Sequence, residues 1–265
     1  MTTAEWERRS GQHDPAATLL DRLPQADPEY LLGAAENPLL DERLVLALLR
    51  NRRTPQRLLA DLAHDPRFSR SYGVRAGIAR HPQAPRGIAL HLIAHLYWRD
   101  LAAAADDVRV PAPVRRAAGR QLEMRIDGLA LGEQLALART GGRAVVQALR
   151  RTRLARVAEV LLGNPHLVED DLVALARSPE TPPEVLATIG RERRWVARYP
   201  IRLALAQNLH TPIGVALGMM SGLARADLAG LAARAEGPEV LRMAAARVLR
   251  ERQRPEPPDP APQAG

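Results

Sequence analysis

The chain matches itself at an offset of 127 residues, and this constrains its fold more than any single motif. HPQAPRGIALHLIAHLYWRDLA, beginning at 81, aligns without a gap to NLHTPIGVALGMMSGLARADLA, beginning at 208. Pro85 meets Pro212, Gly87 meets Gly214, Ala89-Leu90 meet Ala216-Leu217, and Asp100-Leu101-Ala102 meet Asp227-Leu228-Ala229. Upstream, NPLLDERLVLALLR pairs with NPHLVEDDLVALAR and TPQRLLADLA with TPPEVLATIG; downstream, Ala117, Ala118, Arg120 and Leu122 meet Ala244, Ala245, Arg247 and Leu249. Across 37–126 and 164–253 about one position in three is identical and no insertion is needed. A match of this length without a gap implies an internal duplication, with element lengths and turns alike in both copies.

A shorter rhythm runs inside each copy, with prolines at 55, 85 and 111 and again at 182, 212 and 238. Thr54, Thr181 and Thr211 each precede one of these prolines. This order predicts threonine as N-cap and proline at the first helical position. Behind the prolines, Ile88, Ala89, Leu92, Ile93 and Leu96 in one copy and Val215, Ala216, Met219, Met220 and Leu223 in the other keep helical spacing. Helices of ~10–12 residues are marginal alone and must bury their apolar stripe on neighbours. With aromatics at only 3% and alanine and leucine abundant, the expectation is an all-α protein, an α-solenoid of short stacked helices.

The segments TPQRLLADLAHDPRFSRSYGVRAGIARHPQAP and TPPEVLATIGRERRWVARYPIRLALAQNLHTP, with NPxxTP-type turns, a leucine-spaced helix and a V-R or I-R step, resemble the leucine-rich repeat variant and, more loosely, HEAT-like repeats. The resemblance covers about 37–126 and 164–253. It implies a right-handed superhelix of stacked helix pairs that presents a surface, without naming a partner. Some leucine-rich repeat variant proteins carry an iron–sulfur module, which a chain with no cysteine cannot hold.

The expected organisation is an N-terminal helical cap at 1–36, repeat halves at 37–126 and 164–253, and a connecting helical hairpin at 127–163. Leu135, Ala138, Val145, Val146 and Leu149 keep helical spacing around Gly141-Gly142 in the connector, which predicts one continuous solenoid rather than two domains. The tail RPEPPDPAPQAG at 254–265, with five prolines in 12 residues, is expected to be extended and disordered.

Zero cysteines exclude disulfides, thiolate zinc sites and cysteine nucleophiles. The charged start MTTAEWERRSGQHDP is unlike a signal peptide, and apolar runs such as LVLALL are too short to span a bilayer; a cytoplasmic protein without membrane contact is expected. Net charge is +8, and all 38 basic residues are arginine, as a genome rich in G and C encourages. The excess is uneven, with 16 arginines against 8 acids in 37–126 and 12 against 10 in 164–253.

His91 and His95 stand one helical turn apart, a spacing that can chelate a metal. Their counterparts are Gly218 and Gly222, and Leu92 stands where a metallopeptidase helix carries its glutamate, so the expectation is no metal and no other cofactor. Gly214, Gly218 and Gly222 share a helix face, and each costs about 1 kcal/mol against alanine; close helix packing is expected there, with approach of a partner's backbone as the functional alternative. Phe68 with Trp195 and Tyr72 with Tyr199 recur and read as a core plug under a bend, where Pro200 interrupts one copy. The recurring pairs Arg67 with Arg194, Arg75 with Arg202 and Arg120 with Arg247 read as ladders with acids such as Asp61.

No phosphate loop, nucleophile elbow or triad spacing is visible, so the chain reads as a non-catalytic scaffold for a protein or peptide. The alternative is a nucleic-acid binder using Arg50, Arg52, Arg53, Arg57, Arg115 and Arg116, with glycosylase chemistry as in HEAT-like DNA repair enzymes. Trp98 with Asp100 is the one aromatic–carboxylate pair such chemistry could use, and Asp100 recurs as Asp227, which marks a helix-start residue.

Overall fold

The computed structural model describes residues 2–253, and among these there are nineteen α-helices, one short 3-10 turn and no strand. The chain is all-α. It divides into two compact units between Gly128 and Leu129. The Pro-rich tail lies outside the described residues.

The first unit holds α1 (Thr3–His13), α2 (Ala16–Arg22), α3 (Pro28–Ala35), α4 (Glu42–Leu48), α5 (Gln56–His64), α6 (Tyr72–Arg80), α7 (Arg86–Ile93), α8 (Trp98–Asp106) and α9 (Ala112–Arg125). The second holds α10 (Leu131–Thr140), α11 (Arg143–Leu149), α12 (Ala155–Leu161), α13 (Glu169–Arg177), α14 (Pro183–Arg191), α15 (Arg193–Val196), α16 (Tyr199–Gln207), α17 (Ile213–Met220), α18 (Arg225–Ala232) and α19 (Glu239–Glu251). Helices α5, α6 and α7 begin and end 127 residues before α14, α16 and α17. The packing partners also correspond: α4 on α6, α7 on α9 and α8 on α9 in one unit, α13 on α16, α17 on α19 and α18 on α19 in the other. Each core is aliphatic, drawn from stripes such as Leu58, Leu59 and Leu62 of α5 and Val185, Leu186 and Ile189 of α14, each side chain contributing about 1.5–3 kcal/mol on burial.

The prolines start the helices, one position away from the sequence expectation. Pro55, Pro85, Pro111, Pro182, Pro212 and Pro238 are themselves the N-caps, and each carbonyl accepts the first helical N–H. Proline fits there because its N–H is absent where the helix would not use it. The threonines therefore do not cap the following helix. Thr54 Oγ1 donates backward to Leu48 O (3.1 Å) and Thr181 Oγ1 to Leu175 O (2.7 Å), at the end of the preceding helix, because a residue before proline is held extended and the hydroxyl is buried.

Polar side chains stitch successive turns together. In one turn after another a side chain accepts the N–H two residues on, at Asn37, Asn51, Asp65, His81 and Asp107 in the first unit and at Asn164, Ser178 and Asn208 in the second. The buried asparagines then donate to carbonyls one helix pair back: Asn37 to Gly11 and Asp14, Asn51 to Leu23 and Ala26, Asn164 to Ala138 and Gly141, Asn208 to Ala176 and Ser178. His81 Nε2 donates to Asn51 O at 2.9 Å while its Nδ1 accepts from Gln83 N–H, so this network assigns the ring as the neutral Nε2–H tautomer. These bonds satisfy helix-end carbonyls that burial would otherwise leave orphaned.

Two further links repeat. Tyr72 Oη donates to Asp100 Oδ2 (2.6 Å) and accepts from Tyr97 N–H (2.9 Å); Tyr199 does the same with Asp227 and with Ala224 N–H. Arg125 donates to Leu96 O and Ala94 O, and Arg252 to Leu223 O and Ser221 O. The tyrosines are thus hydrogen-bonded latches rather than core plugs, although Phe68 is buried. Pro200 falls in the first turn of α16 and interrupts nothing.

Candidate functional site

Helix α6 separates two grooves in the first unit. Gly73, Gly77 and Arg80 lie on one of its faces and Arg75 on the other, as 3.6 residues per turn requires.

The larger groove, about 750 Å3, runs over α4, α6 and α8 and is lined by Leu46, Leu49, Arg50, Arg52, Gly73, Gly77, Arg80, His81, Asp106, Asp107 and Arg109, among others. A Cβ on Gly77 would stand 2.8 Å from Leu49 Cδ1, and one on Gly73 would stand 3.3 Å from Leu46 Cδ2. The glycines therefore let the α4 leucines settle on α6 as an apolar floor. The arginines differ in how they are engaged. Arg109 chelates Asp107 through Nε and Nη2 and holds that carboxyl down to about 2, chiefly by this hydrogen bonding. Arg80 pairs with Asp100 at 3.3 Å. Among the described residues Arg50 and Arg52 form no ion pair, though the charge of Arg52 adds to the depression of Asp107.

Of the six arginines singled out from the sequence, the structure brings Arg50 and Arg52 together. Arg53 pairs with Asp27 at 3.0 Å. Arg57 is exposed on α5, Arg115 donates to Val108 O, and Arg116 is exposed on α9; none of these lines the groove. Among the described residues Asp61 is in no ion pair: Arg67 chelates Asp65 and Arg194 pairs with Glu192, each two residues away. Arg247 pairs with Glu251.

The second unit has a related depression of about 650 Å3, lined by Arg150, Arg151, Asp170, Val173, Ala174, Arg177, Ser178, Pro179 and Glu180. Val173 and Arg177 stand where Leu46 and Arg50 do, but Pro179 and Glu180 replace Arg52 and Arg53. Glu180 is engaged by Arg153, and its carboxyl is held below the usual range by that bond.

The other groove of the first unit, about 590 Å3, lies between α5 and α7 and is lined by Ala63, His64, Ser69, Arg75, Gly87, Ile88, His91, Leu92 and His95. The His91 and His95 rings meet edge to face with centroids 5.2 Å apart. Among the described residues no group of three or more His, Asp or Glu is arranged to hold a metal ion. In the second unit the glycine face is bare: a Cβ on Gly214 or Gly218 would meet nothing within 4 Å. This corrects the expectation of close helix packing at these two. A Cβ on Gly222 would stand 2.1 Å from Arg202 Nη1, so there the end of an arginine side chain, not a helix, takes up the space beside the glycine.

Sequence reasoning missed the buried stitching asparagines, the tyrosine latches and the Arg125 and Arg252 clasps. Their signal was present: Asn37 with Asn164, Tyr72 with Tyr199, Asp100 with Asp227 and Arg125 with Arg252 are all identities of the self-alignment. No protein-family model matches the chain, and no curated protein or solved structure is significantly similar to it.

Proposed function

We propose that the chain is a non-catalytic scaffold of leucine-rich repeat variant or HEAT-like character, descended from an internal duplication, each unit a short right-handed stack of helix pairs. Its binding face is the α4–α6–α8 groove, and its partner is a peptide segment carrying carboxylates. The observation that carries this reading is the placement of Arg50 and Arg52, free of ion pairs, beside the apolar floor of Leu46 and Leu49. Planar guanidinium groups match carboxylates two bonds at a time, while apolar side chains of the same peptide gain from the floor.

Duplex DNA is the weaker fit. A nucleic-acid surface needs several unpaired cations converging on a phosphate track, and Arg53, Arg67, Arg80 and Arg109 already hold carboxylates. The test is fluorescence anisotropy of a labelled Glu/Asp-rich peptide containing leucines, and of a labelled duplex, with the whole chain and with an Arg50→Gln, Arg52→Gln variant across a salt series. Peptide binding that persists at physiological salt and is lost in the variant supports the scaffold. Duplex binding that is tighter than peptide binding and falls with a slope of about −0.9 per phosphate contacted would make nucleic acid the partner.

A further inference from the structure

We infer that the α5–α7 groove of the first unit is a binding site for a phosphate monoester on a small apolar body. The site is independent of the peptide groove on the opposite face of α6. Its foundation is Arg75. Among the described residues of this unit the other half-buried arginines all have acceptors: Arg22 has Glu7 and Asp14, Arg80 has Asp100, Arg115 has Val108 O, and Arg125 has Ala94 O and Leu96 O. Arg75 has none, and its Nε is buried without a hydrogen bond. Only Nε is withdrawn from water; the rest of this half-buried guanidinium lines the groove, where its Nη N–H groups can donate to an anion.

The surroundings of Arg75 are made for an anion rather than for a metal or a base. No carboxylate lines the groove, whereas His64, His91, His95 and Ser69 all do. His64 donates from Nδ1 to Ala60 O at 2.7 Å, so Nε2 of that tautomer is an acceptor, suited to the P–O–H of a singly protonated phosphate, and the N–H donors of the groove are those of His91 and His95. Imidazole N–H and hydroxyl groups around one guanidinium offer donors from several directions, as a tetrahedral oxyanion requires. Ala63, Ile88 and Leu92 form an apolar wall, and about 590 Å3 is far more room than phosphate alone needs, so the ligand has an apolar body as well.

The second unit shows that the fold does not itself demand this groove. There Gly190 replaces Ala63, and its missing Cβ would stand 2.3 Å from Val215 Cγ1. The glycine leaves room there for Val215 of α17, whereas in the first unit the corresponding Ala63 and Ile88 both line the groove. Gly218 and Gly222 replace His91 and His95, and Arg202 lies against Gly222 and 5.7 Å from the Tyr199 ring. The arginine and its buried, unbonded Nε are common to both units; the histidines, and with them the donor-lined groove, are particular to the first.

The experiment follows the imidazole ring signals of the whole chain by NMR during titration with phenyl phosphate, inorganic phosphate and benzoate. Phenyl phosphate should shift the signals of His64, His91 and His95, with inorganic phosphate and benzoate each binding more weakly. Arg75→Gln, and separately His91→Gly with His95→Gly, the residues that the second unit carries, should weaken phenyl phosphate by about tenfold or more. Circular dichroism establishes that each variant is folded; if Arg75→Gln does not fold, the double glycine variant decides alone. Absence of shifts, equal affinity in the folded variants, or benzoate binding tighter than phenyl phosphate would overturn the assignment.

Discussion

Residues 37–126 and 164–253 share turns at 37 and 164, 51 and 178, and 81 and 208, and put different faces on them. What they share is a set of polar bonds: buried asparagine at 37 and 164, the half-buried tyrosine latch at 72 and 199, and the arginine clasp at 125 and 252. Much of what differs lines a groove, as with Arg52 against Pro179, Ala63 against Gly190 and His91 against Gly218, and two of the buried turn residues differ as well, Asn51 against Ser178 and His81 against Asn208. The contrast teaches that the frame is held by a few hydrogen bonds closing helix ends, since an orphaned carbonyl costs more than most surface changes. With those bonds kept, outward positions are free to diverge.

The sharpest way to break this comparison is to remove a stitch. Asn51 is buried and donates to two carbonyls, whereas its counterpart Ser178 makes one turn bond to Glu180 N–H at 3.2 Å. Asn51→Ala should destabilise the first unit by about 2–4 kcal/mol and Ser178→Ala the second by under about 1 kcal/mol. Amide hydrogen exchange resolves the two units separately, and equal effects would undo the ranking.

Next in size is the latch. Tyr72→Phe strips Asp100 and the Tyr97 N–H of one partner each and should cost about 1–2 kcal/mol, while Tyr199→Phe should act in the same direction. The hydroxyl itself is pushed up to about 12, first by burial and then by its bond to Asp100, so loss of the latch should appear only in strong alkali, as the phenol ionises. Unfolding by urea at neutral pH checks the first point and a tyrosinate absorbance titration the second. A latch that opened at mildly alkaline pH would contradict the geometry.

A smaller effect separates His81 from Asn208. Burial lowers the His81 pKa, partly opposed by the bond to Asn51 O, and a second ring proton would displace the Gln83 N–H from Nδ1. The unfolded chain therefore binds this proton more readily than the folded one. The contribution of His81 is full above the unfolded imidazole pKa of about 6.5 and is lost as pH falls below it. His81→Asn should remove this acid sensitivity from the first unit, measured as melting temperature between pH 7.5 and 5. An unchanged pH dependence would sink the assignment.

The helical rhythm was legible because proline starts and apolar spacing are local signals: α5 and α7 begin directly after Pro55 and Pro85. Arg50 and Arg52 were legible as excess charge, but not their separation from Arg53, which depends on Asp27 in an earlier turn. The threonines misled because Thr-Pro is a start signal whichever of the two residues caps. The histidine groove was invisible from spacing alone, since His64 and Arg75 come from α5 and α6 and reach His91 only through packing. A pair such as Tyr72 and Asp100 repeated as Tyr199 and Asp227 held the missing tertiary information, because residues that recur together at 28 residues' separation are candidates to touch.

The most direct test of one frame with two different faces is a backbone amide NMR titration of the whole chain with the Glu/Asp-rich peptide. Shift changes are expected within 46–52, 73–81 and 103–109, which contribute lining residues to the first-unit groove, and none at 173–180, in the corresponding depression of the second unit. Equal changes in both sets, or changes confined to 173–180, would contradict it.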